Sequence, residues 1–123
     1  MKRVELVGRV QENLFATIPI ELSNGAIVNC LIDSGFQGTL MLPKDFAEDN
    51  SIEILGQETF IAAERTQVQI NSAIAEIKWF SEQFEVPIFV SNSDDALIGV
   101  EMLLDTILEI DYINSTVKIT KPN

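Results

Sequence analysis

The residues best suited to chemistry in this chain are Asp33, Ser34 and Gly35, which form an Asp-Ser-Gly tripeptide. The apolar run from Cys30 to Ile32 precedes them, so the carboxylate comes at the end of a predicted buried strand. Glycine permits a tight turn, and the neighbouring hydroxyl can donate or accept a hydrogen bond. A carboxylate presented in this way can serve as a general acid or base. The tripeptide occurs once, so a pair of such carboxylates requires a second copy of the chain.

Other kinds of catalytic site are excluded by residue type. The chain has no histidine, which removes Ser-His and Cys-His nucleophile pairs and histidine zinc sites. A lone cysteine cannot form an internal disulfide or a thiolate metal cluster, and we expect Cys30 to be a small buried hydrophobe. The six glycines lack the spacing of nucleotide-binding loops. Carboxylate chemistry without a metal or cofactor is what remains.

Length and charge limit the architecture and the partners. A chain of 123 residues with 46% apolar residues predicts one globular domain over residues 1–123, without linkers. The formal net charge of −11 disfavours nucleic acid and anionic membrane surfaces as partners. The sequence shows no signal peptide and no apolar segment long enough to cross a bilayer. The cytoplasm is therefore the expected compartment.

Short alternating segments separated by turns predict an all-β fold. The first strands are expected at residues 5–10, 14–22, 26–32 and 39–42, with a helical turn at 43–48. Two hairpins follow, one from 58–61 and 66–70, the other from 74–80 and 84–90 across Ser81 to Gln83. Pro87 indicates that the last of these strands lies at an edge or carries a bulge. A short helix at 100–104 and a hairpin of 107–111 with 116–120 complete the chain.

Four short motifs occur along the chain in a defined order. They are Leu31-Ile32-Asp33-Ser34-Gly35-Phe36-Gln37-Gly38, Leu42-Pro43, Leu97-Ile98-Gly99 with Leu103-Leu104, and Leu108-Glu109-Ile110-Asp111. In this order the motifs resemble the retropepsin-like aspartic proteases, and in particular their small single-domain prokaryotic branch. The resemblance extends over almost the whole chain, from about residue 5 to residue 120.

The resemblance implies a small, partly closed barrel with one short helix near the C-terminus. Leu97, Ile98 and Gly99 would brace the Asp33 turn from behind, with Gly99 required by a close backbone approach. The hairpin of residues 58–70 takes the place of the family's flap, which covers bound peptide. Substrate contacts would come from Phe36 and from the flap tip, which consists of Ala62, Ala63, Glu64 and Arg65. This tip lacks the glycine of the viral enzymes, so a wider or less mobile turn is expected.

The activity that the resemblance implies is peptide-bond hydrolysis by a homodimer. Asp33 from each copy would contribute to a shared catalytic pair, Ser34 would hydrogen-bond across the dimer, and Gly35 would let the substrate approach. The partners are then a second copy of the chain and a peptide or protein substrate. Terminal strands at residues 4–7 and 117–119 have a β-branched composition that suits a dimer contact.

Two other functions remain open on the sequence. The first is a non-catalytic module that keeps the fold and uses its groove or dimer interface to bind peptide. The second is a small acidic partner protein of the toxin or antitoxin kind, which would not need the Leu97-Ile98-Gly99 element. Asp94 and Asp95, a neighbouring pair of carboxylates, are interpreted as a solvated loop.

Overall fold

Alternation of apolar and polar residues organises most of the chain into strands. The computed structural model describes residues 4–61 and 63–122. In β2, for example, Ile18 and Ile20 are buried while Pro19 between them is exposed. The described residues form ten strands, namely Val4–Val10 (β1), Ala16–Leu22 (β2), Ile27–Ile32 (β3), Leu40–Pro43 (β4), Ile54–Ile61 (β5), Gln67–Trp79 (β6), Glu82–Ser91 (β7), Ala96–Ile98 (β8), Ile107–Asp111 (β9) and Thr116–Lys121 (β10).

Two short helices interrupt the strands. Helix α1 spans Lys44–Asp49 and follows Pro43, which is extended and suits a helix start, so the predicted helical turn is confirmed. Helix α2 spans Val100–Leu103 and begins directly after Gly99. Helix α2 is the short helix that the family resemblance predicts near the C-terminus, and α1 is a second short helix among the described residues. A 3₁₀ turn at Ala63–Arg65 joins β5 to β6.

The strands form a single mixed sheet in the order β5-β6-β7-β4-β8-β3-β2-β1-β10-β9. An extra pairing between β2 and β6 closes part of this sheet on itself. At that closure Glu21 lies opposite Lys78, and their side chains form an ion pair of 2.8 Å. The fold is therefore the expected all-β, partly closed barrel.

The centre of the sheet is the part that positions Asp33. Strand β8 lies between β3 and β4, parallel to β3 and antiparallel to β4. The segment that joins β3 to β4 contains the Asp-Ser-Gly tripeptide, so the chain must pass around the end of β8. Asp33 consequently follows a strand with a neighbour on each side, β2 and β8.

The hairpins differ from the prediction in two respects. The segments expected at 66–70 and 74–80 are one continuous strand, β6, of 13 residues. Strand β6 pairs with β5 through its first part and with β7 through its second part. The second turn is tighter than expected, because Phe80 and Ser81 both have positive φ and β7 begins at Glu82. Positive φ at both central residues is the geometry of a two-residue hairpin turn.

The expectation that Pro87 marks an edge or a bulge is wrong. Strand β7 is internal to the sheet, between β6 and β4, and its register with β6 is continuous through Pro87. The ladder between β7 and β4 begins at Ile88, one residue after the proline. Pro87 therefore lies just outside the doubly paired region, in a part of β7 that pairs with β6 alone, where a missing N–H can be tolerated.

Two clusters of buried side chains form the core. The larger one collects residues from most strands and includes Ile18, Cys30, Leu42 and Ile98, each fully buried. The smaller cluster consists of Phe36, Met41 and Ile70, with the half-buried Phe89 and Leu97 packed against it. Its members come from the Asp33 segment, from β4 and β8, and from the hairpins, so this cluster connects the hairpins to the centre of the sheet.

The terminal strands find their partners within the chain. Strand β1 pairs with β10 from Val4, opposite Lys121, to Arg9, opposite Thr116. Strand β10 also pairs with β9 on its other side. The two ends of the sheet order are β5 and β9.

Candidate active site

The backbone at Asp33 is tied to the central strand β8. The Asp33 N–H donates a hydrogen bond to the Ile98 carbonyl at 3.0 Å, which continues the parallel ladder by one residue beyond β3. The side chain of Asp33 is exposed. The carboxylate faces solvent at the end of β3, a strand that is paired on both sides. It can therefore meet a ligand without movement of its backbone.

Hydrogen bonds within the turn orient the carboxylate. The Gly35 N–H donates to Oδ1 of Asp33 at 3.0 Å, and the Phe36 N–H donates to the Asp33 carbonyl at 3.0 Å. A Cβ atom at Gly35 would lie 3.3 Å from Oδ1, which is a tight contact. No other described residue forms an ion pair or side-chain hydrogen bond with Asp33. The second carboxylate oxygen is thus available to a ligand or a partner.

Ser34 is exposed at the tip of the same turn. Within the part of the chain that the structure describes, no hydrogen bond is formed by its hydroxyl group. A hydroxyl can both donate and accept, so an exposed and unengaged one beside the carboxylate is able to bond to another molecule.

Residues 99–101 are hydrogen-bonded to the segment that follows the tripeptide. The N–H groups of Gly99, Val100 and Glu101 donate to the carbonyls of Thr39, Phe36 and Gly38 at 2.8, 2.9 and 3.1 Å respectively. These three bonds satisfy the free N–H groups at the start of α2 and fix the segment that follows the tripeptide.

Gly99 lies against the backbone of that segment. A Cβ atom at Gly99 would stand 2.3 Å from the Gly38 carbonyl oxygen and 2.6 Å from that of Phe36. Both atoms belong to the backbone, which cannot swing away as a side chain can. Only glycine fits at this position without displacing the Asp33 segment.

Phe36 is buried beneath the turn. Its side chain is 8% exposed, its ring lies against Gly38, and it packs in the smaller core cluster with Met41 and Ile70. This position does not favour the expected contact between Phe36 and substrate. Phe36 is apolar, and Gly38 two residues later has no side chain where the ring lies, so the ring folds inward and supports the turn from below.

The β5–β6 hairpin extends from the smaller core cluster toward solvent. Ile70 of β6 packs at its base against Phe36 and Met41, whereas the strand residues beyond it are largely exposed. At the tip, Glu64 and Arg65 are exposed and both have a φ of 60°. The last pair of the β5–β6 ladder joins Ile61 and Gln67, so five residues connect the two strands, which is the wider turn that the absence of glycine predicts. Ala62, which was expected to contact substrate, lies outside the described residues.

A cavity of about 170 Å³ adjoins the Asp33 segment. It is lined by residues 37–39 of that segment, by residues 87–89 of β7, and by Glu58 of β5 and Glu101 of α2. The Thr39 hydroxyl donates to the Pro87 carbonyl and so joins two of its walls. Sequence reasoning missed both glutamates, because nothing local to either residue indicates that β5 and α2 face one another. A wider depression of about 460 Å³ lies elsewhere, between the β2–β3 turn and the segment after α1.

Cys30 takes no part in this site. The side chain is fully buried in the larger core cluster, and burial raises the pKa of its thiol to about 12. A thiol of such high pKa is protonated at neutral pH, and only a thiolate is an effective nucleophile.

Among the residues described, no three carboxylates or thiols come together to hold a metal ion. Nor does any helix in residues 4–61 and 63–122 have the length and apolar content to span a membrane.

Comparisons with known proteins agree with this architecture. No protein-family model matches the sequence, and no curated protein matches it significantly. Among solved structures, a retropepsin-like aspartic protease from Rickettsia conorii is similar with a TM-score of 0.64 and 15% identity, over 93% of this chain and 97% of that one.

Two further solved structures show the same likeness. A retroviral protease-like domain from Leishmania major has a TM-score of 0.53 and 17% identity, over 84% of this chain and 86% of that one. The simian foamy virus protease has a TM-score of 0.52 and 16% identity, over 71% of this chain and 90% of that one. Sequence identities this low establish shared architecture and leave function to the site. The chain therefore has the retropepsin-like aspartic protease fold.

Proposed function

We propose that this protein is an aspartic endopeptidase that acts as a homodimer, with Asp33 of each copy forming one catalytic pair. The observation that carries the proposal is the exposed Asp33 carboxylate, held by the Gly35 N–H on one oxygen and free on the other. Two of the solved structures that share the fold, from Rickettsia conorii and simian foamy virus, are named as proteases. Since each chain has one Asp-Ser-Gly tripeptide, the second carboxylate comes from a second chain.

The chemistry follows from the repulsion of two carboxylates. At a separation of about 3 Å two such groups share one proton, because both cannot ionise together. The ionised member takes a proton from a water molecule as the water oxygen attacks the carbonyl carbon of the scissile bond. The protonated member gives its proton to the carbonyl oxygen. Collapse of the tetrahedral intermediate returns a proton to the pair and transfers another to the leaving amine, so no covalent intermediate with the enzyme forms.

The supporting residues divide the remaining tasks. Ser34 hydrogen-bonds to the partner chain and Gly35 keeps the carboxylate in register with the turn, while Gly99 holds the segment behind it. The β5–β6 hairpin covers the substrate as a flap, with peptide bound as an added strand beneath it.

Replacement of Asp33 by Asn tests the proposal. The substitution keeps the shape of the side chain and removes its ionisable group, so cleavage of a mixed peptide library should fall by roughly 10²- to 10⁴-fold between pH 3 and 8. Asp49→Asn is the matched control, because Asp49 is an exposed carboxylate at the end of α1. Equal cleavage by the wild-type protein and the Asp33→Asn variant would refute the assignment.

The flap tip favours a second candidate function. Five residues, none of them glycine, connect Ile61 to Gln67 at the tip, so the hairpin has a wider turn than a tight glycine tip. A protein that binds extended peptide in its groove without cleaving it would have the same fold. Binding of library peptides at equal affinity by wild type and Asp33→Asn, with no product from either, would identify this non-catalytic module.

A further inference from the structure

The cavity beside the Asp33 segment has a composition that suits one kind of ligand. Its volume of about 170 Å³ is below the range of pockets that enclose a whole small molecule, so it can hold a single side chain. The charged residues in its lining are Glu58 and Glu101, and no lysine or arginine is among them. Within the described residues neither glutamate forms an ion pair.

The position of the cavity links it to the proposed active site. Gln37 is four residues beyond Asp33, so their Cα atoms lie within about 14 Å of one another even if the chain were fully extended. The Glu101 N–H donates to the Gly38 carbonyl at 3.1 Å, which attaches one glutamate to the segment that carries Asp33. Glu58 belongs to the hairpin proposed as the flap. The cavity thus lies between the flap and the active-site segment, where a bound peptide would pass.

The walls combine an apolar side with two carboxylates. Residues 87–89 contribute proline, isoleucine and phenylalanine, and the glutamates stand on β5 and α2. Lysine and arginine have this same division, since an aliphatic stem carries a cationic head that stays near water. A neutral or acidic side chain would leave the two glutamates without a counter-charge, and an acidic one would be repelled.

We propose that this cavity is a substrate subsite that selects a lysine or arginine side chain of the bound peptide through Glu58 and Glu101. This inference rests on the proposed peptidase function and adds the substrate class. Both glutamates are exposed, so solvent weakens each ion pair. We therefore expect a basic side chain to raise kcat/KM by roughly three- to twentyfold over its glutamine counterpart.

The test compares peptide pairs that differ by one substitution of lysine or arginine by glutamine, placed in turn at each position around the cleaved bond. Wild type should prefer the basic peptide at one position, and Glu58→Gln/Glu101→Gln should lose that preference while still cleaving the neutral peptide. The charge-reversed Glu58→Lys/Glu101→Lys should favour acidic peptides there. Glu12→Gln, the same change in an exposed turn after β1, is the matched control and should keep the wild-type preference.

A binding measurement separates this inference from the proposed function. Fluorescence anisotropy with Asp33→Asn and the same labelled peptides reports the subsite without cleavage. A preference for binding the basic peptide that is lost when Glu58→Gln and Glu101→Gln are added to Asp33→Asn supports the subsite, even if the wild-type protein cleaves nothing. Cleavage or binding without a basic preference, or a preference unchanged in the double variant, overturns the subsite whether or not the protein is a peptidase.

Discussion

At the scale of single residues, the geometry of Asp33 depends on backbone groups rather than on other side chains. The Asp33 N–H is bonded to Ile98, its Oδ1 atom accepts from Gly35, and the segment behind it is bonded to residues 99–101. The acceptor Ile98 lies in β8, which is paired on both sides, so the turn is anchored to the centre of the sheet and the carboxylate has its direction before any ligand arrives. Preorganisation of this kind is what a catalytic group requires.

Gly99→Ala should disrupt this arrangement. The added Cβ would stand 2.3 Å from the Gly38 carbonyl oxygen, so the Asp33 segment must shift. We expect the free energy of unfolding to fall by about 1–3 kcal/mol, and cleavage to fall at least roughly tenfold because the carboxylate is displaced. Urea unfolding and peptide cleavage measure the two effects.

Gly56→Ala is the control for that substitution. A Cβ atom at Gly56 meets nothing closer than Oγ of Ser72 at 3.7 Å, which is an ordinary contact. Its stability and activity should stay close to wild type. If Gly99→Ala behaved like Gly56→Ala, the close approach at Gly99 would have no role in holding the site.

At the scale of elements, the strands and turns were largely predictable, but their pairing was not. Residues 107–111 were expected as a strand and form β9 with the same bounds. Alternation is a local property, so it can be read along the chain. The union of two predicted segments into β6 was missed, because polar residues 71 and 72 interrupt the apolar pattern where β6 passes from one partner strand to the next.

The β9–β10 hairpin contains Asp111, a carboxylate whose pKa is lowered in the folded protein. Asp111 accepts hydrogen bonds from the Asn114 N–H at 3.0 Å, the Asn114 side-chain amide at 2.9 Å and the Ile113 N–H at 2.8 Å. The bond from the Asn114 backbone, followed by the other two, lowers the pKa of Asp111 in the folded protein. These bonds stabilise the charged form of the turn.

A pH dependence of stability follows from the lowered pKa. A carboxylate whose pKa is lower in the folded state stabilises the protein above its unfolded pKa of about 3.9. This stabilisation is lost as the pH falls through the folded-state pKa. Asp111→Asn should therefore lower the Tm at pH 7 and have a smaller effect at pH 3, as measured by thermal unfolding. Asp49→Asn is the control, and an equal effect of Asp111→Asn at both pH values would contradict the assignment.

At the scale of the whole molecule, charge opposes the association that the proposed function requires. Each chain carries a formal −11, so two copies carry twice that, or −22. Repulsion between such surfaces is screened by salt beyond a Debye length of about 8 to 10 Å. Since β1 and β10 already pair within the chain, a dimer does not need interleaved termini to cover these strands.

Dimer fraction and activity should therefore rise together with moderate salt and with mild acidification. We expect the dimer dissociation constant to fall by roughly three- to tenfold when screening is increased. Sedimentation equilibrium and peptide cleavage on the same samples measure the two quantities. A protein that stays monomeric at every salt concentration and every pH from 4 to 8, and still cleaves peptide, would disprove the shared catalytic pair.

Salt also distinguishes the dimer from the basic subsite. Screening should raise total cleavage by favouring dimers, but it should lower the ratio of basic to neutral peptide cleaved, because the ion pairs with Glu58 and Glu101 are exposed. The two trends have opposite signs, so one titration reports both.

The sequence by itself determined the β class, the single Asp-Ser-Gly tripeptide at the end of a buried strand, and the resemblance in four ordered motifs. Strand and turn patterns depend on neighbouring residues, which is why they can be recognised in a single sequence. Only the tertiary structure decided that β8 runs between β3 and β4, that the Phe36 ring turns inward, and that Glu58 and Glu101 line one cavity. These features depend on contacts between segments far apart in the chain, and no local pattern encodes which of them will meet.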